Sequence, residues 1–135
     1  MAAGYSATPL AKKLGIRVGS RIFCVGAPKD FRRGLQPLPA SVVFVSHPGT
    51  DVDIAHVFTA KRAELAERLA RLRATLGPAA AVWVSWPKKS AKVASEISEG
   101  TIREVAMPLG FVDIKVCAID AVWSGLKLVV RKELR

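Results

Sequence analysis

The chain has 135 residues, half of them hydrophobic, two cysteines and a formal net charge of +10. That length suits one domain with a real core, spanning residues 1–135, and the apolar content excludes a disordered chain. No apolar run approaches the roughly 18 residues of a membrane span, and the N-terminus lacks the apolar stretch of a secretory signal. The expected location is therefore the cytoplasm, with no membrane partner.

In chain order, Thr8-Pro9 reads as an N-cap followed by proline at the first helical position, and Gly15 stands where a terminating glycine belongs. A short helix over 9–14 follows, within a helical lead-in of about twenty residues. Residues 21–26 are nearly all apolar, as in a strand covered on both faces. Gly26-Ala27-Pro28 ends that strand, and residues 30–35 hold only a turn or two of helix. Residues 41–46 form the second strand. Residues 53–58 form the third, which is less apolar and is expected near an edge.

Thr59 is placed to cap a helix over 61–76. There Leu65, Leu69, Leu72 and Leu76 recur at helical spacing, and Glu64–Arg68 and Glu67–Arg71 are i,i+4 pairs. Residues 80–86 read as a buried fourth strand, followed by a loop from Pro87 to about Ser98. The next helix turns Ile102, Val105, Ala106 and Leu109 inward, and Pro108 distorts its last turn. Residues 111–119 and 126–131 are two strands joined by a short turn, hence antiparallel.

Strand–helix alternation that ends in a hairpin predicts an α/β fold. We expect a single Rossmann-like, methyltransferase-type three-layer domain whose mainly parallel sheet ends in an antiparallel hairpin. The expected strand order is 3-2-1-4-5, with the last strand reversed beside the Phe111 strand. Ligands of such sheets bind beyond the carboxyl ends of the strands, near the switch in strand order. That edge would gather Gly26 to Asp30, Ser46 to Gly49, Thr59, Trp86 to Lys89, and the Trp123-Ser124 turn.

The residues at this edge say more about binding than about chemistry. Gly26 and Ala27 occupy the position of a cofactor-binding glycine turn, yet only one glycine is present and Pro28 removes a backbone donor. The second strand ends in Ser46-His47 instead of the acid that holds a ribose hydroxyl. Neither S-adenosylmethionine nor NAD is expected, and no cofactor is assigned. Trp86, Lys88 and Lys89 offer an indole beside two cations, a set that grips a phosphate or carboxylate. Trp123 and Ser124 are expected to face the same cleft.

His47 is at the ligand edge without a visible carboxylate partner, and His56, inside a strand, reads as structural. Cys24 and Cys117 read as strand thiols. Two histidines and two strand cysteines make no closed zinc set, so no metal is assigned, and no catalytic residue is named.

The basic residues are spread, with Lys88, Lys89 and Lys92 the tightest loop group and no block of five like charges. This pattern describes a basic globular surface, not a nucleic-acid-binding tail. The partners it admits are a small anionic molecule or a polyanion, with weak, non-specific nucleic-acid binding.

Three segments carry a family resemblance. They are Tyr5-Ser6-Ala7-Thr8-Pro9-Leu10-Ala11-Lys12-Lys13-Leu14-Gly15-Ile16, Trp83-Val84-Ser85-Trp86-Pro87-Lys88-Lys89, and Trp123-Ser124-Gly125-Leu126-Lys127-Leu128-Val129. With them the chain resembles DUF3052, a bacterial family of unknown function, over nearly its whole length. The resemblance implies no activity and no catalytic residues. The expected function is a non-catalytic, degenerate Rossmann-like domain that binds an anionic ligand or partner at the Trp86–Lys89 edge. The alternatives are a small methyltransferase-like enzyme with a divergent cofactor loop and a basic nucleic-acid-associated protein.

Overall fold

A computed structural model describes residues 8–135. The part of the expected lead-in at residues 1–7 lies outside the described residues. Six strands form one sheet: β1 Arg21–Val25, β2 Val43–Val45, β3 Ile54–Phe58, β4 Ala81–Pro87, β5 Phe111–Ala118 and β6 Trp123–Val130. Their order is β2-β1-β3-β4-β6-β5. The first four are parallel, while β6 runs antiparallel to both β4 and β5.

Helices cover both faces. α3 (Arg62–Thr75) and α4 (Glu99–Ala106) pack Leu65, Leu69, Leu72, Ile102 and Ala106 against Ala55, Val57, Val82, Val84 and Leu126. The opposite face is covered by two helices of four residues, α1 (Leu10–Lys13) and α2 (Phe31–Gly34). They bring Ala11, Leu14, Phe31 and Leu35 onto Ile22, Ile54, Phe58 and Trp83. Burying each large aliphatic side chain contributes roughly 1.5–3 kcal/mol, so α3 is held mainly by its leucine face and only slightly by its Glu64–Arg68 pair.

Local chemistry sets the element ends. The Ser98 hydroxyl accepts the Thr101 N–H while the Ser98 N–H donates to the Thr101 hydroxyl, a capping box that starts α4. Pro108 falls in the 3₁₀ turn Met107–Leu109, the distorted end expected of it, and Gly110 stops the chain at φ +100°. At the start of α3 the work is divided. The Thr59 hydroxyl accepts the Lys61 N–H, one residue before the helix, and the Glu96 carboxylate accepts the Arg62 N–H at 2.9 Å.

Two expectations about the sheet are corrected. The third strand is central, not near an edge: β3 lies between β1 and β4, and all five of its residues are buried. Residues 46–53 return from β2 to β3 across β1 as a loop, so the order is not 3-2-1-4-5. His56 lowers the apolar content of the segment, yet the ring is satisfied in place by Ser85. The second correction concerns the hairpin. β6 begins at Trp123 instead of Leu126 and inserts between β4 and β5. The turn closes early because Asp120 Oδ1 accepts the N–H groups of both Val122 and Trp123 at 2.8 Å.

His56 Nε2 lies 2.6 Å from Ser85 Oγ on the neighbouring strand, and its ring stacks on Phe58 at 4.3 Å between centroids. Burial alone holds its pKa down, to about 3. The folded state therefore keeps this ring neutral while an unfolded histidine protonates below its ordinary value of about 6.5. Its contribution is complete above pH 6.5 and declines as pH falls toward 3, with a slope of up to about 1.4 kcal/mol per pH unit. Denaturant unfolding of the native chain and of His56→Gln across this window should show a shallower acid loss in the variant.

Candidate functional site

The carboxyl ends of β1, β3 and β4 point to one edge of the sheet, where the chain leaves through Gly26, Thr59 and Lys88. Gly26 has φ +74°, and a Cβ there would run into the Phe58 carbonyl. The glycine is thus required by the close approach of two neighbouring strand exits, independently of any ligand. Gly26 and Ala27 are both exposed.

The Trp86–Lys89 segment is shaped differently. Trp86 is only 8% exposed, and it packs among the α3 and α4 contacts with Ile97 and Ile102. Its indole is a wall, not a free stacking platform. The Lys88 N–H donates to the Val122 carbonyl at 2.7 Å, which ties the strand exit to the hairpin turn. Lys89–Ala91 then form one 3₁₀ turn, and Lys92 closes it in the left-handed region at φ +56°. A cavity of about 300 Å³ results, lined by Trp86, Lys88, Lys89, Val93, Glu96 and Ile97 among others. Glu96 is its acid, and one carboxylate oxygen is engaged by the α3 N-terminus, where negative charge is favoured. Lys92 does not line this cavity.

The other residues expected at this edge divide between the two faces. In the β4–β6 register Ser124 is opposite Trp86 and Trp123 is opposite Pro87. Directly paired residues project to the same side, so Ser124 shares the Trp86 face. Trp123 projects to the other face, where its ring meets Phe58 edge-on at 5.2 Å. The structure thus brings Trp86, Lys88 and Lys89 together, sets Ser124 beside Trp86, and places Trp123, Gly26 and Ala27 apart from that cavity.

Sequence reasoning missed two further cavities. One, of about 190 Å³, joins His47, Ser46 and Pro48 to Phe23, Val25, Arg68, Arg71 and Leu72. The leucine spacing of α3 located its buried face, but the loop that carries His47 back over β1 had no sequence signal. The other, about 530 Å³, lies at the opposite edge of the sheet, around the chain entering β1.

The cysteines are both free and partly buried. Burial raises the Cys24 thiol to about 11, against a smaller opposing effect of Arg32, which leaves it a poor nucleophile. Among the described residues no cluster of three or more metal-ligating side chains occurs, and no helix is long and apolar enough to cross a membrane.

This architecture is a methyltransferase-like α/β fold with a six-stranded mixed sheet. A protein from Sulfolobus solfataricus assigned as a type 11 methyltransferase superposes with a TM-score of 0.60 at 14% identity, covering 91% of this chain and 90% of that one. TrmN from Thermus thermophilus gives 0.57 at 13% identity, over 90% of this chain and 47% of its own. A protein from Bordetella parapertussis described as a possible exported protein gives 0.62 at 11% identity, over 90% of this chain and 65% of its own. The chain therefore spans less than two thirds of the last two. At these identities the likeness defines the fold alone. No protein-family model and no curated protein sequence matches the chain, so the DUF3052 resemblance stays with the three segments that suggest it.

Gly26→Ala should destabilise the protein by at least about 1 kcal/mol, because alanine is strained at positive φ and meets the Phe58 carbonyl. Ala27→Ser, one residue on at an exposed position, should stay within about 0.5 kcal/mol. Urea midpoints of the two variants separate the cases.

Proposed function

We propose that this chain is a ligand-binding domain built on a methyltransferase-type frame, and that it takes a small anionic molecule at the carboxyl end of β4. The observation that carries the reading is the 300 Å³ cavity in which Lys88 and Lys89 stand beside Trp86, Val93 and Ile97. Two lysines and an apolar wall line one cavity, the pattern of a site for an anion attached to a compact apolar body. Binding is preferred to catalysis because the polar lining groups other than the lysines are already engaged: Glu96 at the start of α3, Ser95 by the Ile97 N–H and Ser98 in the α4 capping box. The cytoplasm, a polyanion as an additional weak partner, and a single-domain organisation complete the proposal.

A second reading, a small methyltransferase-like enzyme, is favoured by the shared fold. It needs a cofactor at the switch between β1 and β3. There Gly26 is explained by Phe58, and β2 leads into Ser46-His47 without an acid. Calorimetry with S-adenosylmethionine distinguishes the two. A dissociation constant weaker than about 100 μM, roughly −5.5 kcal/mol, is expected, and tighter binding would establish the enzyme reading instead.

Phenyl phosphate, one anion on one ring, should raise the melting temperature of the native chain by mass action. Lys88→Ala with Lys89→Ala should remove that response while leaving stability in plain buffer within about 0.5 kcal/mol. An unchanged response in the double variant would move the ligand away from β4.

A further inference from the structure

We infer that the cavity at the opposite edge of the sheet, around Arg17 and Lys127, is a second ligand site, and that it takes a small hydroxyl-bearing phosphomonoester. This edge is formed where the parallel strands begin. The cavity of about 530 Å³ is bounded by Gly15 and Arg17 before β1, Asp53 and Ile54 at β3, Ala81 at β4, and Lys127 from β6. Its size is that of an ordinary small-molecule pocket.

The sheet concentrates positive charge here. In the β5–β6 register Lys115 is directly opposite Lys127, and one step further Lys127 is opposite Trp83. The register shift between Asp113 and Lys115 sets this alignment: with Ile114 as the extra residue, Lys115 falls on the Lys127 face. Two like charges directly opposed across strands are destabilising unless something of opposite charge joins them. Lys115 is partly answered, since its ammonium donates to the Lys13 carbonyl at 3.1 Å, at the carbonyl-rich end of α1. Arg17 and Lys127 are not answered: among the described residues no ion pair involves Arg17, Lys115 or Lys127.

Lys127 Nζ sits close to the Gly15 backbone, 3.7 Å from where a Cβ there would be. Burial lowers its pKa, and Lys115 and Arg17 add to the effect. A bound phosphoryl group would offset the repulsion from both cations. Asp53 also lines the cavity, and its Oδ2 accepts the Arg21 N–H at 2.8 Å. Its other oxygen is an acceptor for a ligand hydroxyl, and Asp53 would repel a second phosphate. One phosphoryl end and one hydroxyl end is therefore the chemistry that fits.

Thermal-shift titration with ribose 5-phosphate as the probe tests the assignment. The native chain should show a saturable rise in melting temperature, with ribose giving none and inorganic phosphate a smaller one. Arg17→Gln and Lys127→Gln should each weaken the apparent affinity about tenfold, the scale of one charge-assisted contact. Without probe, Lys127→Gln should melt at or above the native temperature, since it relieves the Lys115 repulsion, so a lost response would not be lost folding. Lys88→Ala with Lys89→Ala should leave the response intact, which separates this site from the one at β4. No saturable response in the native chain, or equal responses in the native chain and both glutamine variants, would overturn the assignment. So would a short DNA duplex that displaces the probe stoichiometrically, because the surface would then be a polyanion face.

Discussion

The structure hinges on one indole. Trp83 is fully buried at the middle of β4, where the sheet changes from parallel to antiparallel pairing. Its Nε1–H donates to the Leu14 carbonyl at 3.1 Å, which fixes the end of α1 against the sheet. Its ring also demands space on the β6 side: a Cβ at Gly125 would sit 3.3 Å from Trp83 Cε3 and 2.9 Å from Ile119 Cδ1. A glycine in β6 is thus what lets a reversed strand lie beside a tryptophan of this size. Without that fit, neither the hairpin insertion nor the cover by a helix of only four residues has a physical reason.

Both cavities inherit their geometry from this arrangement. Toward the carboxyl end of β4, Trp86 and Lys88 emerge two and four positions after Val84, and the Lys88 N–H is fastened to the hairpin turn. Toward its start, the Leu14 carbonyl held by Trp83 positions Gly15 and Arg17, while the cross-strand partner of Trp83 is Lys127. A net charge of +10 is therefore not a uniform coat. Some of the basic residues are balanced in pairs such as the exposed Arg62–Glu104 and the part-buried Arg103–Asp113, the former worth little to stability. The remainder includes lysines and an arginine at both ends of the strands.

Much of the fold was legible. Continuous apolar runs marked β1 and β4, the leucine spacing marked α3, and Pro108 with Gly110 marked the end of the helical region before β5. The failures have physical causes. His56 and Asp53 lower the apolar content of residues 53–58 and suggest an edge, yet Ser85 on the next strand satisfies His56 and makes a central position tolerable. The insertion of β6 depends on a non-local fit between Gly125, Trp83 and Ile119 that no local pattern reveals. At the candidate site, the adjacency of Trp86, Lys88 and Lys89 was readable because they are neighbours in sequence. The opposite projection of Trp123 was not, because it follows from strand register. The Arg17–Lys127 cavity was invisible for the same reason: the residues are far apart in sequence, and the β5 register shift that aligns Lys115 with Lys127 leaves no compositional trace.

Amide hydrogen exchange on Trp83→Phe tests the pivotal role of the indole most directly. The substitution keeps an aromatic ring in the core but removes the donor to Leu14, leaving a buried carbonyl unsatisfied at a cost of about 1–3 kcal/mol. If Trp83 pins α1 to the sheet, the amides of Lys13, Leu14, Gly15 and Ile16 should exchange roughly five- to a hundredfold faster, while those of β1 and β3 keep their relative protection. Unchanged exchange at the end of α1, with the protein still folded, would contradict that role.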